Sequence, residues 1–170
     1  MLIDNKNNKY DDLKYSISRV KNLSFFVNEH LKQGDSKEVN VELAQACGIS
    51  LEGNIIDFRI TIFFHYPENN IQLSQIVVQN VFTVNEIKKY HTDGKITLPC
   101  GLIISIISMS ISHARALFCQ NLSGTVYQDF ILPITNTLDV AKKFFPDMFD
   151  ANGLILEETT FNLTPKITKK

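Results

Sequence analysis

The stretch LPCGLIISIISMSISHARALFCQ, Leu98–Gln120, decides the fold of this chain. No Asp, Glu, Lys or Arg occurs from Ile96 to Ala114. Pro99 can begin a helix, because its missing N–H would have no partner in the first turn, and we predict one long helix over residues 100–121. A bilayer span needs about 20 apolar residues, and the run approaches that length. Its proline, its four serines, its histidine and its charged, strand-rich flanks favour a helix within a protein over a membrane span.

The faces of this helix indicate what it packs against. A stripe of small residues runs along it at i, i+4, i+7 and i+11, between two apolar stripes. A helix without a charged face is not a one-sided surface helix. We therefore predict that one face packs on a sheet and that the small stripe packs on the same helix of another copy. A helix fully buried in a monomer is the alternative. The predicted interface residues are Gly101, Ser105, Ser108, Met109 and Ser112.

The residues before the helix show the patterns of β-strands. Alternating apolar and polar residues predict a strand over 15–28 and another around Val39, Val41 and Leu43. Segments rich in β-branched and aromatic residues predict strands over 55–66 and 71–84.

The order of the elements predicts the fold class. A charged crossover, 85–95, leads into the long helix, and Asn136 or Thr137 can cap a shorter helix over about 137–148. Four strands followed by two helices predict an α+β domain, with a four-stranded antiparallel meander or Greek-key sheet and both helices on one face. The expected organisation is a flexible segment 1–14, a domain 15–148 and a loose C-terminal tail 149–170.

Composition narrows the classes of function. The chain has 170 residues and a net charge of −1, which gives no electrostatic reason to expect nucleic acid as a partner. The polar, acidic start is unlike a secretory signal, and the cysteines are three in number and far apart. We therefore expect reduced thiols and a cytoplasmic protein.

Motifs of catalysis or metal binding are lacking in the sequence. There is no Gly-rich phosphate loop and no Cys-x-x-Cys, and the four histidines are not spaced as metal ligands. His113 lies on the apolar helix and is expected to be a packed or interface histidine. We expect no enzyme, no metal and no cofactor.

A resemblance to the SecB family of export chaperones follows from motifs in a fixed order. The long helix ends in Ala114-Arg115, and Gly124-Thr125, Gln128 and a Leu-x-Pro-x-Asn-type segment, 132–136, come before the second helix. YSISRVKNLSFFVNE, 15–29, is similar to the first strand of that family. VNVELA and FRITIFF stand where its second and third strands are expected. The resemblance covers roughly residues 15–147.

The resemblance implies both an assembly and a function. It implies a homotetramer, a dimer of dimers in which the long helices are sandwiched between sheets, and a holdase that binds unfolded chains in apolar grooves without ATP. The client-binding residues expected on this basis are Val39, Val41, Leu43, Ile87, Tyr90, Tyr127, Phe130, Leu138, Phe144 and Phe145.

Departures from the family pattern bear on the client. Acidic residues that dock the Sec motor ATPase in the family align with Asn22, Phe26 and Gln75, and the chain ends in the basic KITKK. Docking by charge attraction is therefore expected to be weak. This favours a dedicated chaperone of an antitoxin, as in toxin–antitoxin systems, over general preprotein export. A non-catalytic oligomeric scaffold without a client groove is the alternative from another class.

Overall fold

The computed structural model describes residues 10, 13–30, 39–67 and 69–163. It has the predicted α+β fold, with a four-stranded antiparallel sheet and two α-helices. Most of the expected flexible segment 1–14 and the basic KITKK end lie outside the described residues.

The main sheet has a Greek-key order. Its strands are β1 (Tyr15–Val27), β2 (Asn40–Ser50), β3 (Ile55–His65) and β4 (Gln72–Val84). The spatial order is β1-β4-β3-β2, so the chain from β2 to β4 forms two hairpins and β1 lies beside β4. Two register shifts, between Ile17 and Arg19 and between Asn22 and Ser24, interrupt the pairing of β1.

The two faces of the sheet differ in burial. On β3 every second side chain, from Ile56 to Phe64, is at most 1% exposed, and these side chains define the inner face. Directly paired residues of neighbouring strands point to the same side of a sheet. Val41 on β2, paired with Phe64, and Ile76 on β4, paired with Ile62, therefore also lie on the inner face. The opposite, outer face carries the alternate residues, among them Arg59.

Helix α1 (Cys100–Leu122) covers the inner face, within one residue of its predicted end. It packs on β3 and β4 and touches β1. Its buried residues include Ile103, Ile107, Ala114 and Phe118. By length and composition alone α1 could cross a membrane, but the core helix of a soluble protein passes the same test, and 44% of its most apolar window is buried in the protein.

Helix α2 (Thr137–Phe144) packs on α1. The side chain of Asn136 caps it by accepting a hydrogen bond from the Leu138 N–H at 3.0 Å. The helix is shorter than the predicted 137–148. Pro146 is responsible, because the residue before a proline is disfavoured in the helical region, and a 3₁₀ helix, Pro146–Met148, follows instead.

A second sheet was missed in the sequence. It consists of β5 (His91–Thr92), β6 (Lys95–Pro99) and β7 (Glu158–Asn162), in that order. A 3₁₀ helix, Ile87–Tyr90, leads into it. The expectation of a loose tail from residue 149 is wrong for residues 158–162, because β7 pairs with β6 along its whole length.

Candidate functional site

The predicted stripe of small residues lies on the uncovered face of α1. Gly101, Ser108 and Ser112 are exposed, and Ser105 and Met109 are half-buried. The Ser105 and Ser112 hydroxyls donate to the carbonyls of Gly101 and Ser108, both at 2.9 Å. Because these hydroxyls are satisfied within the helix, the stripe offers close approach without needing polar partners. Ala116 and Cys119, one and two turns further on, are exposed as well and lengthen it.

His113 is held between α1 and the sheet, in agreement with the prediction of a packed histidine. Its Nδ1 lies 2.7 Å from Asn80 Oδ1, and Asn80 is fully buried on the inner face. The Asn80 amide in turn donates to the Phe58 carbonyl at 3.5 Å. This bridge fixes the rotation of α1 about its axis and so fixes which stripe faces outward.

The inner face of β2 is an open apolar strip. Helix α1 covers β3 and β4, whereas neither α1 nor α2 covers β2 in this way. Val39, Val41 and Leu43, all predicted groove residues, are only half-buried, whereas Phe64 and Ile62, the β3 partners of Val41 and Leu43, are fully buried. Gln45 also lies on this face, and beyond it Cys47 and Ile49 continue the strip to the end of the strand. From Val41 to Cys47 it extends about 20 Å.

The loop after α1 supplies a wall beside this strip. Phe64 is the direct register partner of Val41, and the ring of Phe130 packs on Phe64 with centroids 4.4 Å apart. Arg115 anchors the loop from α1, since its guanidinium donates to the carbonyls of Leu132, at 3.0 Å, and of Pro133. The structure thus brings Val41 and Phe130, two predicted groove residues, to the same place.

The end of α2 provides the other predicted aromatic residues. Phe145 is half-buried, and its ring lies 6.2 Å from that of Phe58, the register partner of Cys47. Phe144 is half-buried too, and Leu138 is 38% exposed. Phe130 and Phe145 therefore mark two points along the β2 strip, one toward each end.

Two of the predicted groove residues belong to the core. Ile87 is fully buried, and Tyr127 is 5% exposed with its hydroxyl donating to the Asn28 carbonyl at 3.1 Å. Neither side chain is available to a client, so both assignments are corrected. Both side chains belong to the hydrophobic core instead. Tyr90 is half-buried against the ring of Tyr10 at 5.2 Å.

Two isoleucines missed in the sequence are the most exposed apolar side chains of the loop. Ile131 is 86% exposed and Ile134 is 96% exposed, on either side of Pro133. In extended backbone successive side chains point in opposite directions. With Phe130 and Leu132 facing inward, that alternation would have placed Ile131 outward, but it would also have placed Ile134 inward, whereas Ile134 is exposed.

Possible metal-binding groups and cavities are the remaining features of interest in the described residues. Within the parts of the chain that the structure describes, no group of three or more His, Cys, Asp and Glu is placed to hold a metal ion. One open polar cavity of about 510 Å³ lies between the start of β1 and the 3₁₀ helix, lined by Lys14, Asn54, Asn85, Glu86 and Lys89. Lys89 and Glu86 form an ion pair on its rim.

Fold and surface define an α+β protein with a Greek-key sheet, one uncharged helix face and an open apolar strip. No protein-family model matches the chain, and no curated protein matches it. The SecB resemblance therefore rests on the motifs quoted above and stays a prediction.

Proposed function

We propose that the chain is an ATP-independent, SecB-like holdase that binds unfolded or aggregation-prone polypeptides in the cytoplasm. The observation that carries the proposal is the strip on β2 together with Ile131 and Ile134 on the adjoining loop. These loop side chains are almost fully exposed to water. Apolar side chains this exposed are a feature of binding surfaces.

The shape of the strip suits an unfolded client. An extended chain presents apolar side chains at irregular positions, and a strip of about 20 Å faces roughly six of its residues. Burial contributes about 25 cal/mol per Å² of apolar surface. Several such contacts along one chain give binding that tolerates many client sequences, because no single side chain has to fit a closed pocket.

The exposed stripe of α1 supports an assembly of several copies. We propose the homotetramer implied by the resemblance, with α1 of one copy against α1 of another. The small side chains of Gly101, Ser108 and Ser112 permit that approach, and nothing lies within 4 Å of a Cβ built on Gly101.

An antitoxin is the proposed client, ahead of a preprotein. Phe26 and Gln75, which align with docking acids of the family, are register partners on the outer face, while Asn22 faces α1 and donates to Asn121 at 3.4 Å. None of the three carries the charge that would attract a basic motor segment. A toxin–antitoxin operon around the gene would support this choice.

The decisive experiment is suppression of aggregation without nucleotide. A chemically unfolded enzyme is diluted into buffer with or without the protein, and light scattering follows aggregation. We expect scattering to fall as the protein approaches equimolar amounts, with an equal mass of serum albumin as the control. Scattering equal to that control would disprove the holdase proposal and favour a scaffold.

A further inference from the structure

The outer face of the main sheet carries a polar network that joins three strands. Asp57 on β3 accepts from Arg59 Nη2 at 3.1 Å and from Arg59 Nε at 3.4 Å. The Gln79 amide on β4 donates to the same carboxylate at 2.6 Å. Arg19 on β1 donates to Gln79 Oε1 at 3.3 Å. The network holds two guanidinium groups in place on a face that neither helix covers.

The charges of this network do not cancel. Arg19, Lys21 and Arg59 contribute three positive charges to its surroundings, and Asp57 contributes one negative charge. Lys21 is exposed and is the register partner of Gln79, so it lies beside the network. Among the strand residues of this sheet the only other acid is Glu42, four residues along β2 from the partner of Arg59, about 13 Å away. Glu42 itself lies 3.4 Å from His65 Nε2.

Small residues leave room for a chain beside these cations. The β2 residues paired with Asp57, Arg59 and Thr61 are Gly48, Ala46 and Ala44. None has a side chain longer than a methyl group, and a Cβ on Gly48 would meet only the Asp57 carbonyl at 4.0 Å. The outer side of β2 therefore leaves open space beside Arg59.

We propose that this face docks an extended acidic segment of a partner protein. Arg19 and Arg59 stand on strands separated by β4 and two residues apart in register, so their Cα atoms lie about 12 Å apart. Carboxylates at positions i and i+4 of an extended peptide lie about 13 Å apart and match that spacing. A guanidinium has five N–H donors; Asp57 takes those on Nε and Nη2 of Arg59, so donors remain for a second carboxylate.

A protein partner fits this surface better than a nucleic acid does. The Asp57 carboxylate stands among the cations and would repel a backbone that carries a phosphate at every nucleotide. A peptide can place its acids on either side of Asp57 and a small neutral residue over it. The inference is independent of the holdase proposal, because it concerns the face opposite α1.

The test uses a fluorescent peptide of about ten residues with glutamate at every fourth position and small neutral residues between, and fluorescence anisotropy of the full chain. We expect salt-dependent binding, and we expect the double variant Arg19→Glu/Lys21→Glu to weaken it by about tenfold. Lys88→Glu/Lys95→Glu, at two exposed lysines outside the main sheet, is the matched charge control and should bind as the unaltered protein does. If the double variant does not fold, as judged by circular dichroism, Arg19→Gln/Lys21→Gln replaces it, with a loss of about threefold expected.

Four outcomes would overturn the inference. They are no binding of the acidic peptide at low salt, equal binding of the same peptide with glutamine for glutamate, equal weakening by Lys88→Glu/Lys95→Glu, and tighter binding of a single-stranded oligonucleotide of the same charge. Because aggregation suppression is measured in a separate assay, failure of the docking proposal can be distinguished from failure of the holdase proposal.

Discussion

Replacement of Ile131 and Ile134 by serine tests whether the loop holds clients. These side chains are 86% and 96% exposed, so the folded monomer gains almost nothing from them. Surface substitutions of this kind change the free energy of unfolding by less than about 0.5 kcal/mol. In a complex with a client the same side chains lose their water.

The expected effect on affinity follows from that burial. Full burial of one isoleucine contributes about 1.5–3 kcal/mol, so two contribute about 3–6 kcal/mol if fully covered. A client lying across an open loop covers about half of each side chain, which leaves about 1.5–3 kcal/mol, or a loss of affinity of about 10- to 100-fold. We expect Ile131→Ser/Ile134→Ser to show that loss in the anisotropy of a labelled, unfolded client.

The control keeps the apolar area at both positions. Ile131→Leu/Ile134→Leu should bind the client within about twofold of the unaltered protein, and both variants should keep the same mass in light scattering. If the serine variant binds as the unaltered protein does, the loop is not part of the client surface. If the leucine variant loses as much affinity as the serine variant, side-chain burial is not the cause.

The remaining predictions concern assembly and stability. Ser108→Arg should reduce the mass in light scattering, because a long cation cannot enter a close helix contact, while Ser123→Arg at the end of α1 should not; an unaltered mass for Ser108→Arg would refute the interface. Phe118→Ala should lower the free energy of unfolding in urea by about 3–5 kcal/mol, since this buried ring packs on Phe25 and Phe64; a loss below 1 kcal/mol would contradict that packing. Burial, with the nearby Asp57, raises the pKa of Cys47 from 9.0 to about 12. The folded state therefore keeps the neutral thiol, and the contribution of that thiol to stability is lost as the pH rises from 9 towards 12. In Cys47→Ala the urea midpoint should depend less on pH over that range, and an equal decline in both proteins would show that another group is responsible.

Most of the main sheet and α1 could be predicted because their patterns are strong and local. Strand β3 alternates fully buried and open side chains, and α1 starts at the proline that the sequence indicated. The small sheet escaped prediction because β7 is short and mostly polar, and its partner β6 is far away in sequence. Such a pairing depends on tertiary contacts and leaves little local signal.

The candidate site was predicted in part for a similar reason. Val41 and Phe130 were expected in one groove from the family resemblance, and the structure brings them to the same place. The burial of Ile87 and Tyr127 depends on how the loops fold back on the core, which the sequence pattern does not contain. Ile131 was missed because the sequence does not show which side of the loop faces water.

The pairing of β7 with β6 has a consequence for synthesis of the chain. The Cys100 N–H at the first turn of α1 donates to the Glu157 carbonyl at 3.0 Å, and β6, just before it, pairs with β7. A nascent chain emerges N-terminal part first, so the apolar helix leaves the ribosome before the segment that anchors its start exists. During that interval the helix exposes its own isoleucines. The nascent chain therefore presents exposed apolar surface of the same kind that we propose the folded protein binds in its clients.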